Sequence, residues 1–524
     1  MYYCSSAKNE FFCASNDLRA LFANDQIPFQ INEEACLSYP TNAVALGENE
    51  FSNETFFNDI YKLAGGSYLC WDLKQKQLTQ KFYWGKNQLL KQLDSTEHFQ
   101  LEELRSMVAE SVSLRLDKKT IVDVSGGIDS ANILAGAIAK GVNNVLAVNL
   151  SFNEEDMVFS HDKELVKKLL NDLNVKGCII SGENTLRIPN AELGRDPMYH
   201  IDGPDPRANP LSIEMFQAIG NELGIERALT GDGADYLFGT TMIYDTLLQK
   251  RKFSEIKGLL RKQCNNQTLS LIIKTIFLLL SAWIRPLKDY MYYQFVWAKD
   301  EISPLNYFTS EHQAREKRLN RKLRNQIQSS KEFNSWGIRY IHDLLYPRAR
   351  YLDTSCVNLQ YMHPFYDKSL MELVFRIPPD AHFDPTVALE HGEYAGSKQL
   401  LRKLFSDILP SYLLGRTVKT SYAHMARKKL VCEKENLFTL FSPEEKIITS
   451  QLGIIDKNKF RNHLIATIIQ AHDLNNELGM NFQYLHAIIE LEIWLREAKK
   501  GRNYILERSK PRPPRWLTEV EWIG

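Results

Sequence analysis

Between residues 119 and 231, short apolar runs alternate with segments whose apolar residues recur at helical spacing. The runs predicted as strands are KTIVDV (119–124), NVLAVNLSF (144–152), VKGCIIS (175–181) and IERALTG (225–231). The predicted helices are a polar segment at about 98–117, ANILAGAIAKG (131–141), DKELVKKLLNDLN (162–174) and SIEMFQAIGNELG (212–224). Gly141 stands where a C-cap glycine would end a helix. This alternation predicts right-handed βαβ units and an α/β fold with a doubly wound parallel sheet.

The pattern differs on either side of this region. Residues 1–92 favour short strands, because the runs EFFCAS, GSYLCWDL and QKFYWG are separated by turn signals such as Ala-Gly-Gly at 64–66. Beyond about residue 240 the chain is predicted to be mainly helical. The basic, proline-rich tail RSKPRPPRW (508–516) is predicted to be irregular. We therefore expect two units, 1–92 and 93–524.

Composition narrows the classes of partner. A chain of 524 residues is long enough for two or three domains, each with its own core. Its 64 basic and 64 acidic residues give a formal net charge of zero. Bulk electrostatic attraction to nucleic acid or anionic membranes is therefore not expected.

The cysteines and the first residues predict a cytoplasmic protein. The eight cysteines include no Cys-x-x-Cys pair, so neither a zinc site nor a disulfide framework is indicated. Free thiols are typical of a reducing cytosol. The opening residues MYYCSSAKNEFF lack the basic start and apolar core of a signal peptide.

One apolar segment resembles a membrane span but is too short. LSLIIKTIFLLLSAWI (269–284) has 16 residues and contains Lys274, whereas a spanning helix needs about 20 mostly uncharged residues. A buried helix is predicted, and no membrane span. Two alternatives stay open for this segment: an interfacial helix, or a helix that contacts a partner.

The first candidate loop is Ser125-Gly126-Gly127-Ile128-Asp129-Ser130, which joins a predicted strand to a predicted helix. Glycines allow backbone N–H groups to close around an anion, and the helix N-terminus adds its dipole. The serine hydroxyls can donate to phosphate oxygens. A carboxylate beside phosphates is favourable when Mg²⁺ lies between them, which indicates a metal role for Asp129. The alternative is a strand–helix turn in which Ser or Asp is the N-cap.

The second candidate loop, TGDGADYLFG (230–239), follows a predicted strand about a hundred residues later. In a doubly wound sheet, ligands bind beyond the carboxyl ends of the strands, so both loops are expected at the same edge. Asp235 could then share a Mg²⁺ ion with Asp129. The alternative is a tight surface turn, since Gly-Asp-Gly is common turn chemistry.

The two loops together resemble those of one family. SGGIDS is similar to the pyrophosphatase loop of enzymes that cleave ATP to AMP and pyrophosphate. TGDGADYLFG resembles a loop of class B asparagine synthetases and their relatives, which include β-lactam synthetases and lasso-peptide macrolactam synthetases. Three later stretches agree in order, and the resemblance covers about residues 93–425. They are HPFYDKSLMELVFRIP (363–378), SKQLLRKLFSDILP (397–410) and GRTVKTSY (415–422).

The resemblance implies an adenine-nucleotide alpha-hydrolase-like sheet with a helical C-terminal extension, and a reaction that uses ATP and Mg²⁺. A substrate carboxylate would be adenylated, and an amine would then displace AMP to form an amide. Lys419 is expected to stabilise the adenylate. For Asp232 two roles stay open: a base that deprotonates the amine, or a residue that forms the turn. The residues expected to bind the nucleotide are Ser125, Gly126, Gly127, Asp129, Ser130, Gly231, Lys398 and Arg402, and those expected to bind Mg²⁺ are Asp129 and Asp235.

The resemblance also bears on the N-terminal unit. Family members carry an N-terminal nucleophile (Ntn) amidotransferase domain whose catalytic cysteine follows Met1. Here YYCSSAKNEFFCASNDLRALF resembles a stretch well inside that domain, so residues 1–92 are expected to be a partial version of it. Residue 2 is tyrosine, and Cys4 has no matching context. Cys4 is therefore not expected to act as a glutaminase nucleophile.

Three departures from asparagine synthetases point to a different substrate. Tyr236 stands where those enzymes have Glu, and Gln360 and Met362 replace the Glu and Arg of a Glu-x-Arg motif. Loss of an acid and a guanidinium favours a pocket not built for aspartate. We expect a specialised amide ligase, such as a macrolactam synthetase acting on a peptide, with a precursor peptide or a protease as possible partner. The alternatives are an asparagine synthetase that uses ammonia or whose start lies upstream, and a non-catalytic peptide-binding scaffold.

Overall fold

The structure of the chain is a computed structural model. It describes residues 1–6, 11–45, 54–85, 88–89, 92, 100–117, 120–142, 145–151, 162–181, 203–204, 220, 222–239, 253–263, 305–316, 318, 359–377, 381–418, 423–471, 481–508 and 520–524. The predicted helix at 269–284, most of the one at 212–224, Lys419 and residues 509–519 of the tail lie outside these ranges.

The N-terminal segment forms two small antiparallel sheets. Their strands are β1 (Tyr2–Ser6), β2 (Phe11–Ser15) and β3 (Ile60–Lys62), in the order β2-β1-β3, and the hairpin of β4 (Ser67–Asp72) and β5 (Gln77–Phe82). Two helices, α1 (Leu18–Phe22) and α2 (Glu33–Ala45), were not predicted from the sequence. The start of α1 has a local cause, because the Asp17 carboxylate accepts a hydrogen bond from the backbone N–H of Arg19 at 2.9 Å.

The central region is a six-stranded sheet with helices. Its elements are α3 (Leu101–Ser113), β6 (Thr120–Asp123), α4 (Ile128–Ala139), β7 (Leu146–Ser151), α5 (Asp162–Asp172), β8 (Gly177–Ser181), β9 (Arg227–Leu229), α6 (Ala234–Phe238), α7 (Phe253–Gln263), β10 (Gln360–Met362), a 3₁₀ helix (Pro364–Tyr366) and α8 (Lys368–Arg376). The four predicted strands and the helices at 131–141 and 162–174 are confirmed, and Gly141 has the positive φ of a helix-ending glycine, +74°. The predicted α/β class is confirmed.

The order of the strands is β10-β9-β6-β7-β8, and these five run parallel. A sixth strand, β11 (Val520–Ile523), pairs antiparallel with β8 and makes the sheet mixed. The all-parallel prediction missed β11. Its placement is supported by Glu521, which forms ion pairs with Lys163 at 3.1 Å and Lys167 at 2.8 Å.

The two faces of the sheet are both buried, as expected for a parallel sheet. On one face Val122 and Leu229 join a large apolar cluster with α3, α4 and α8. On the other face Ile121, Val148 and Ala228 form a smaller cluster. The alternation along β6 therefore assigns each residue of that strand to a definite face.

The C-terminal region is helical. Its elements are α9 (Pro385–His391), α10 (Glu393–Gly396), α11 (Gln399–Leu404), α12 (Ser411–Leu414), α13 (Ala423–Cys432), α14 (Lys434–Leu440), α15 (Ile448–Gln451), α16 (Lys457–Ala471), α17 (Asn481–Ala498) and α18 (Arg502–Arg508). This confirms the helical pattern beyond residue 240 for the part of the chain that the structure describes. No helix within that part is both long and apolar enough to cross a membrane.

The N-terminal segment and the C-terminal helices share one buried core. Phe22 and Phe57 of the N-terminal segment pack in the same cluster as Leu437, Phe460 and residues of α17. Phe57 and Trp494 are in edge contact, with ring centroids 5.7 Å apart. The boundary at 92/93 stays a prediction, but the burial of Phe22 and Phe57 depends on residues more than 350 positions away.

Candidate active site

The two candidate loops lie side by side at the carboxyl edge of the sheet. The first loop leaves β6 and the second leaves β9, and these strands are neighbours. The chain proceeds from β6 to β7 on one side and returns to β9 on the other, so the strand order reverses between β6 and β9. Such a reversal opens a crevice in which ligands of doubly wound sheets bind.

The first loop is shaped by its glycines and by a serine pair. Gly126 has a φ of +77°, a conformation that side chains disfavour. The Ser130 hydroxyl accepts a hydrogen bond from Ser125 N at 3.1 Å and lies 3.1 Å from Ser125 Oγ. The N-cap of α4 is Gly127, and no side chain caps that helix. The alternative in which Ser or Asp is the N-cap is therefore wrong. Asp129 lies in the first turn of α4.

Gly231 allows the second loop to approach the first. A Cβ atom at this position would lie 2.8 Å from Ser130 N and 3.0 Å from the carbonyl carbon of Asp129. Both distances are too short for a carbon atom. Gly231 was expected at the nucleotide site, and its role in the structure is to let the loops touch.

Lys398 joins the two loops. Its ammonium nitrogen lies 2.7 and 2.5 Å from the carboxylate oxygens of Asp129 and 2.5 Å from Oδ1 of Asp235. Lys398 is 3% exposed and has a φ of +55°, which is rare for a residue other than glycine. A buried lysine in a strained backbone conformation is expected where the surrounding structure dictates its position.

The charge of Lys398 is retained despite burial. Burial is the largest influence and lowers the pKa of Lys398, but Asp129 and Asp235 together raise that pKa above its usual value. Asp129 and Asp235 therefore keep Lys398 in its charged form. Their two carboxylates also fit Mg²⁺, which binds through one or two carboxylates together with substrate phosphates. Among the described residues, no group of three or more metal-ligating side chains occurs.

Arg402 holds the segment that carries Lys398. Its guanidinium donates to the carbonyl oxygens of Ser397 at 3.0 Å and Tyr394 at 3.1 Å, and also to that of Leu414. It lies over the Tyr394 ring, 5.4 Å from the centroid. Nucleotide contact by Arg402 stays a prediction, and the observed bonds fix the backbone on both sides of α11.

Sequence reasoning missed two residues near the first loop. Arg416 donates to the carbonyl oxygen of Gly126 at 2.8 Å. Tyr394 is close enough to Asp129 and Lys398 to respond to their charges, although burial is the main reason that its pKa is raised. Arg416 belongs to the GRTVKTSY stretch, so attention to every basic residue of that motif would have found it.

A second polar group lies beside the loops. Thr230 Oγ1 is 2.8 Å from His363 Nδ1 and accepts a hydrogen bond from Asp232 N at 3.3 Å. Burial, followed by the nearby Asp232 carboxylate, raises the pKa of Asp123 to about 7. Burial also lowers the pKa of His363 to about 4. Asp232 was a candidate from sequence. Asp123 was missed because it precedes the SGGIDS loop, and His363 was missed although it opens the HPFYDKSLMELVFRIP stretch.

The residues that depart from asparagine synthetases are close to this edge. Gln360 and Met362 are the first and last residues of β10, where Gln360 is exposed and Met362 packs against the core. The backbone of Tyr236 belongs to α6. These positions therefore lie on elements that adjoin the second loop.

Cys4 has the surroundings of an unreactive thiol. It is buried in β1 opposite Cys13, and burial, then Asp59 and Cys13, raise its pKa to about 11. A nucleophilic cysteine requires a lowered pKa.

Comparison with known proteins agrees with this geometry. Residues 103–496 match the family described as Asparagine synthase. The glutamine-hydrolyzing asparagine synthetase 1 of Bacillus subtilis (strain 168) is 30% identical over 190 residues, which cover 35% of this chain. The matched part spans 28% of that relative's length.

Proposed function

Because the chain belongs to the asparagine synthase family, we propose that it is an ATP-dependent carbon–nitrogen ligase. An oxygen of a substrate carboxylate attacks the α-phosphorus of ATP, and the bond from that phosphorus to the pyrophosphate oxygen breaks. The products of this step are an acyl-adenylate and pyrophosphate. An amine then attacks the acyl carbon, one proton leaves its nitrogen, and AMP departs as the amide forms.

The observation that carries the proposal is the junction of Lys398 with Asp129 and Asp235. Phosphate chemistry needs cations that are held in place before the charge develops. A buried ammonium between two carboxylates, at the edge where ligands of doubly wound sheets bind, meets that need. Lys398 is assigned to the pyrophosphate oxygens, and Asp129 and Asp235 to Mg²⁺.

The remaining residues have supporting roles. Ser125, Gly126, Gly127, Ser130 and Gly231 are assigned to the pyrophosphate, through hydroxyl and backbone N–H groups. Bound Mg²⁺ would spread charge on the leaving pyrophosphate. Asp232 is assigned to the attacking amine as a general base. Lys419 is assigned to the acyl-adenylate, and Arg402 to the nucleotide side of the site.

The acyl substrate is proposed to be a carboxylate of a peptide, and the product a macrolactam. Support comes from Tyr236, Gln360 and Met362, because an exposed amide and an apolar thioether replace the acid–guanidinium pair suited to a small charged amino acid. A precursor peptide, with a protease that trims it, is the proposed partner, and the cytoplasm the proposed compartment. Residues 1–92 are proposed to belong to an Ntn-type amidotransferase-like unit.

The second candidate is synthesis of asparagine from aspartate and ammonia. The observation in its favour is the 30% identity to a glutamine-hydrolyzing asparagine synthetase. Measurement of two products, pyrophosphate released from MgATP and newly formed asparagine, separates the two functions. Aspartate with ammonium is compared with peptides of 10 to 20 residues that contain Asp or Glu.

The expected result is pyrophosphate release with peptide and none with aspartate. Accumulation of asparagine would establish the second candidate. A chain that binds no ATP under these conditions would instead be a non-catalytic scaffold. The matched control is Lys403→Met, which removes an exposed lysine of α11 and is expected to change nothing.

A further inference from the structure

The ammonium of Lys398 contacts the same carboxylate oxygens that a divalent metal ion would use. It lies 2.7 and 2.5 Å from the two oxygens of Asp129 and 2.5 Å from Oδ1 of Asp235. Mg²⁺ binds carboxylate oxygens at about 2.0–2.1 Å and demands near-ideal octahedral geometry. The ammonium and a metal ion therefore compete for these oxygens.

The two carboxylates are more exposed than the ammonium between them. The side chains of Asp129 and Asp235 are 23% and 58% exposed, whereas that of Lys398 is 4% exposed. A ligand that arrives from solvent can thus reach the carboxylates while Lys398 stays buried beside them.

The backbone that carries Lys398 is fixed on both sides. The Arg402 guanidinium donates to the carbonyl oxygen of Ser397 at 3.0 Å, and Arg402 N donates to that of Lys398 at 3.1 Å. Gln399 N donates to the carbonyl oxygen of His382 at 3.0 Å. The lysine stem is flexible and its ammonium has rotatable donors. Lys398 can therefore change hydrogen-bond partners without a movement of its backbone.

The charges at this junction disfavour a metal ion in the absence of nucleotide. Lys398 already neutralises one of the two carboxylates, and Arg416, which donates to the carbonyl oxygen of Gly126 at 2.8 Å, adds positive charge to the first loop. Among the described residues, no group of three or more metal-ligating side chains occurs that could offset this repulsion. Nucleotide phosphates reverse the balance, because they bring negative charge and further oxygen ligands.

We propose that Lys398 is an internal counter-ion that excludes divalent metal from Asp129 and Asp235 until nucleotide phosphates are present. When the nucleotide binds, the ammonium passes from the carboxylates to the phosphate oxygens, and the carboxylates become available to Mg²⁺. When pyrophosphate leaves, the ammonium returns and displaces the metal together with the product. This inference rests on the proposed ligase function and adds that metal and nucleotide bind together.

The test measures metal binding by the full-length protein without any turnover. Mn²⁺ replaces Mg²⁺, because carboxylate oxygens suit both ions, and electron paramagnetic resonance determines how much Mn²⁺ remains free. Lys398→Met and Lys398→Gln each remove the positive charge, so a failure of one variant to fold leaves the other. Lys398→Arg keeps the charge, and Lys403→Met removes an exposed lysine of the same helix as the matched control.

Without nucleotide, the unsubstituted protein should show no saturable Mn²⁺ site up to about 1 mM, the weak end for divalent metals held by oxygen ligands. Lys398→Met and Lys398→Gln should bind Mn²⁺ at least about tenfold more tightly, because removal of one partner leaves the carboxylates uncompensated. Lys398→Arg and Lys403→Met should resemble the unsubstituted protein. Addition of Asp235→Asn to Lys398→Met should abolish the gain, which assigns the bound ion to this junction.

A gain of binding is informative because a purely structural role of Lys398 predicts no gain. A saturable Mn²⁺ site in the unsubstituted protein without nucleotide, or equal Mn²⁺ affinity in all variants, would overturn the inference. Calorimetry with MgATP tests the proposed function separately. A gain of Mn²⁺ binding in Lys398→Met, in a protein that binds no MgATP, would overturn the proposed function but support the exclusion of metal. Binding of MgATP with no gain in either neutral variant would overturn the exclusion alone.

Discussion

Lys398 is the residue at which burial, charge and an unusual backbone conformation coincide. Its positive φ is rare for a side-chain-bearing residue, and its ammonium is held by carboxylates from two different loops. Strained conformations of this kind cost about 1–3 kcal/mol and persist when surrounding contacts dictate them. Here those contacts are the two ion pairs.

The substitution Lys398→Met is expected to weaken binding of MgATP by about ten- to a hundredfold. The reason is loss of one charged hydrogen bond to phosphate, worth about 1.5–3 kcal/mol. Titration calorimetry with MgATP measures the change, and Lys403→Met on the exposed side of α11 serves as the control. An unchanged affinity in Lys398→Met would show that the ammonium serves only to neutralise Asp129 and Asp235.

At the scale of elements, the site depends on how α11 is held. This helix has only six residues, Gln399–Leu404, so its own hydrogen bonds fix it weakly. Arg402 fastens the segments before and after it through three carbonyl oxygens. The position of Lys398, at the start of α11, therefore depends on a guanidinium whose hydrogen bonds go to backbone carbonyl oxygens.

The substitution Arg402→Leu is expected to destabilise this region by about 3 kcal/mol, since a buried set of charged hydrogen bonds is lost. Hydrogen–deuterium exchange should become faster over residues 394–416, and MgATP affinity should fall as a consequence. Arg402→Lys keeps the charge but lacks the planar fork, so it should give an intermediate exchange rate. Loss of MgATP affinity with unchanged exchange would instead assign Arg402 to direct nucleotide contact.

At the scale of the whole molecule, segments distant in sequence share buried surfaces. The N-terminal segment packs with α16 and α17. Within α17, buried Glu492 accepts hydrogen bonds from the backbone of Ile448 and Thr449 and from Arg496. These satisfied buried hydrogen bonds join α15 to α17, the helix against which the N-terminal segment packs. Unfolding of either region should therefore expose part of the other.

Buried histidines should make the folded state sensitive to acid. Burial lowers the pKa values of His312, His363 and His382 to about 4 from an ordinary 6.5. Between these values the unfolded chain binds protons that the folded chain does not, so the free energy of unfolding falls as pH falls from about 6.5 to 4. The effect is up to about 3 kcal/mol for each fully buried histidine.

Urea unfolding at a series of pH values measures this dependence. His382→Gln should reduce the slope between pH 6.5 and 4 by removing one of the three groups. Asp123 acts in the opposite sense, because its raised pKa stabilises the folded state at low pH and this contribution is lost as pH rises through about 7. A slope that stays flat across the window in the unsubstituted protein would contradict the burial of neutral histidines.

The sequence by itself determined four strands of the sheet, β6 to β9, and the position of both loops. Local patterns suffice for this, because the apolar runs that form β6, β7, β8 and β9 and the helical spacing in α4 and α5 are contained within short windows. Once the strands are parallel, the carboxyl ends must meet at one edge. Asp129 and Asp235 could therefore be expected near each other before any distance was known.

Only the tertiary structure decided what lies between those carboxylates and which residues surround them. Lys398 follows Asp129 by 269 positions, and no local pattern encodes their 2.5 Å contact. The contact between Thr230 and His363 depends on register between strands separated by more than 100 residues. The antiparallel β11 and the core shared by the two ends of the chain were missed for the same physical reason: long-range packing selects them, and their short segments carry no distinguishing periodicity.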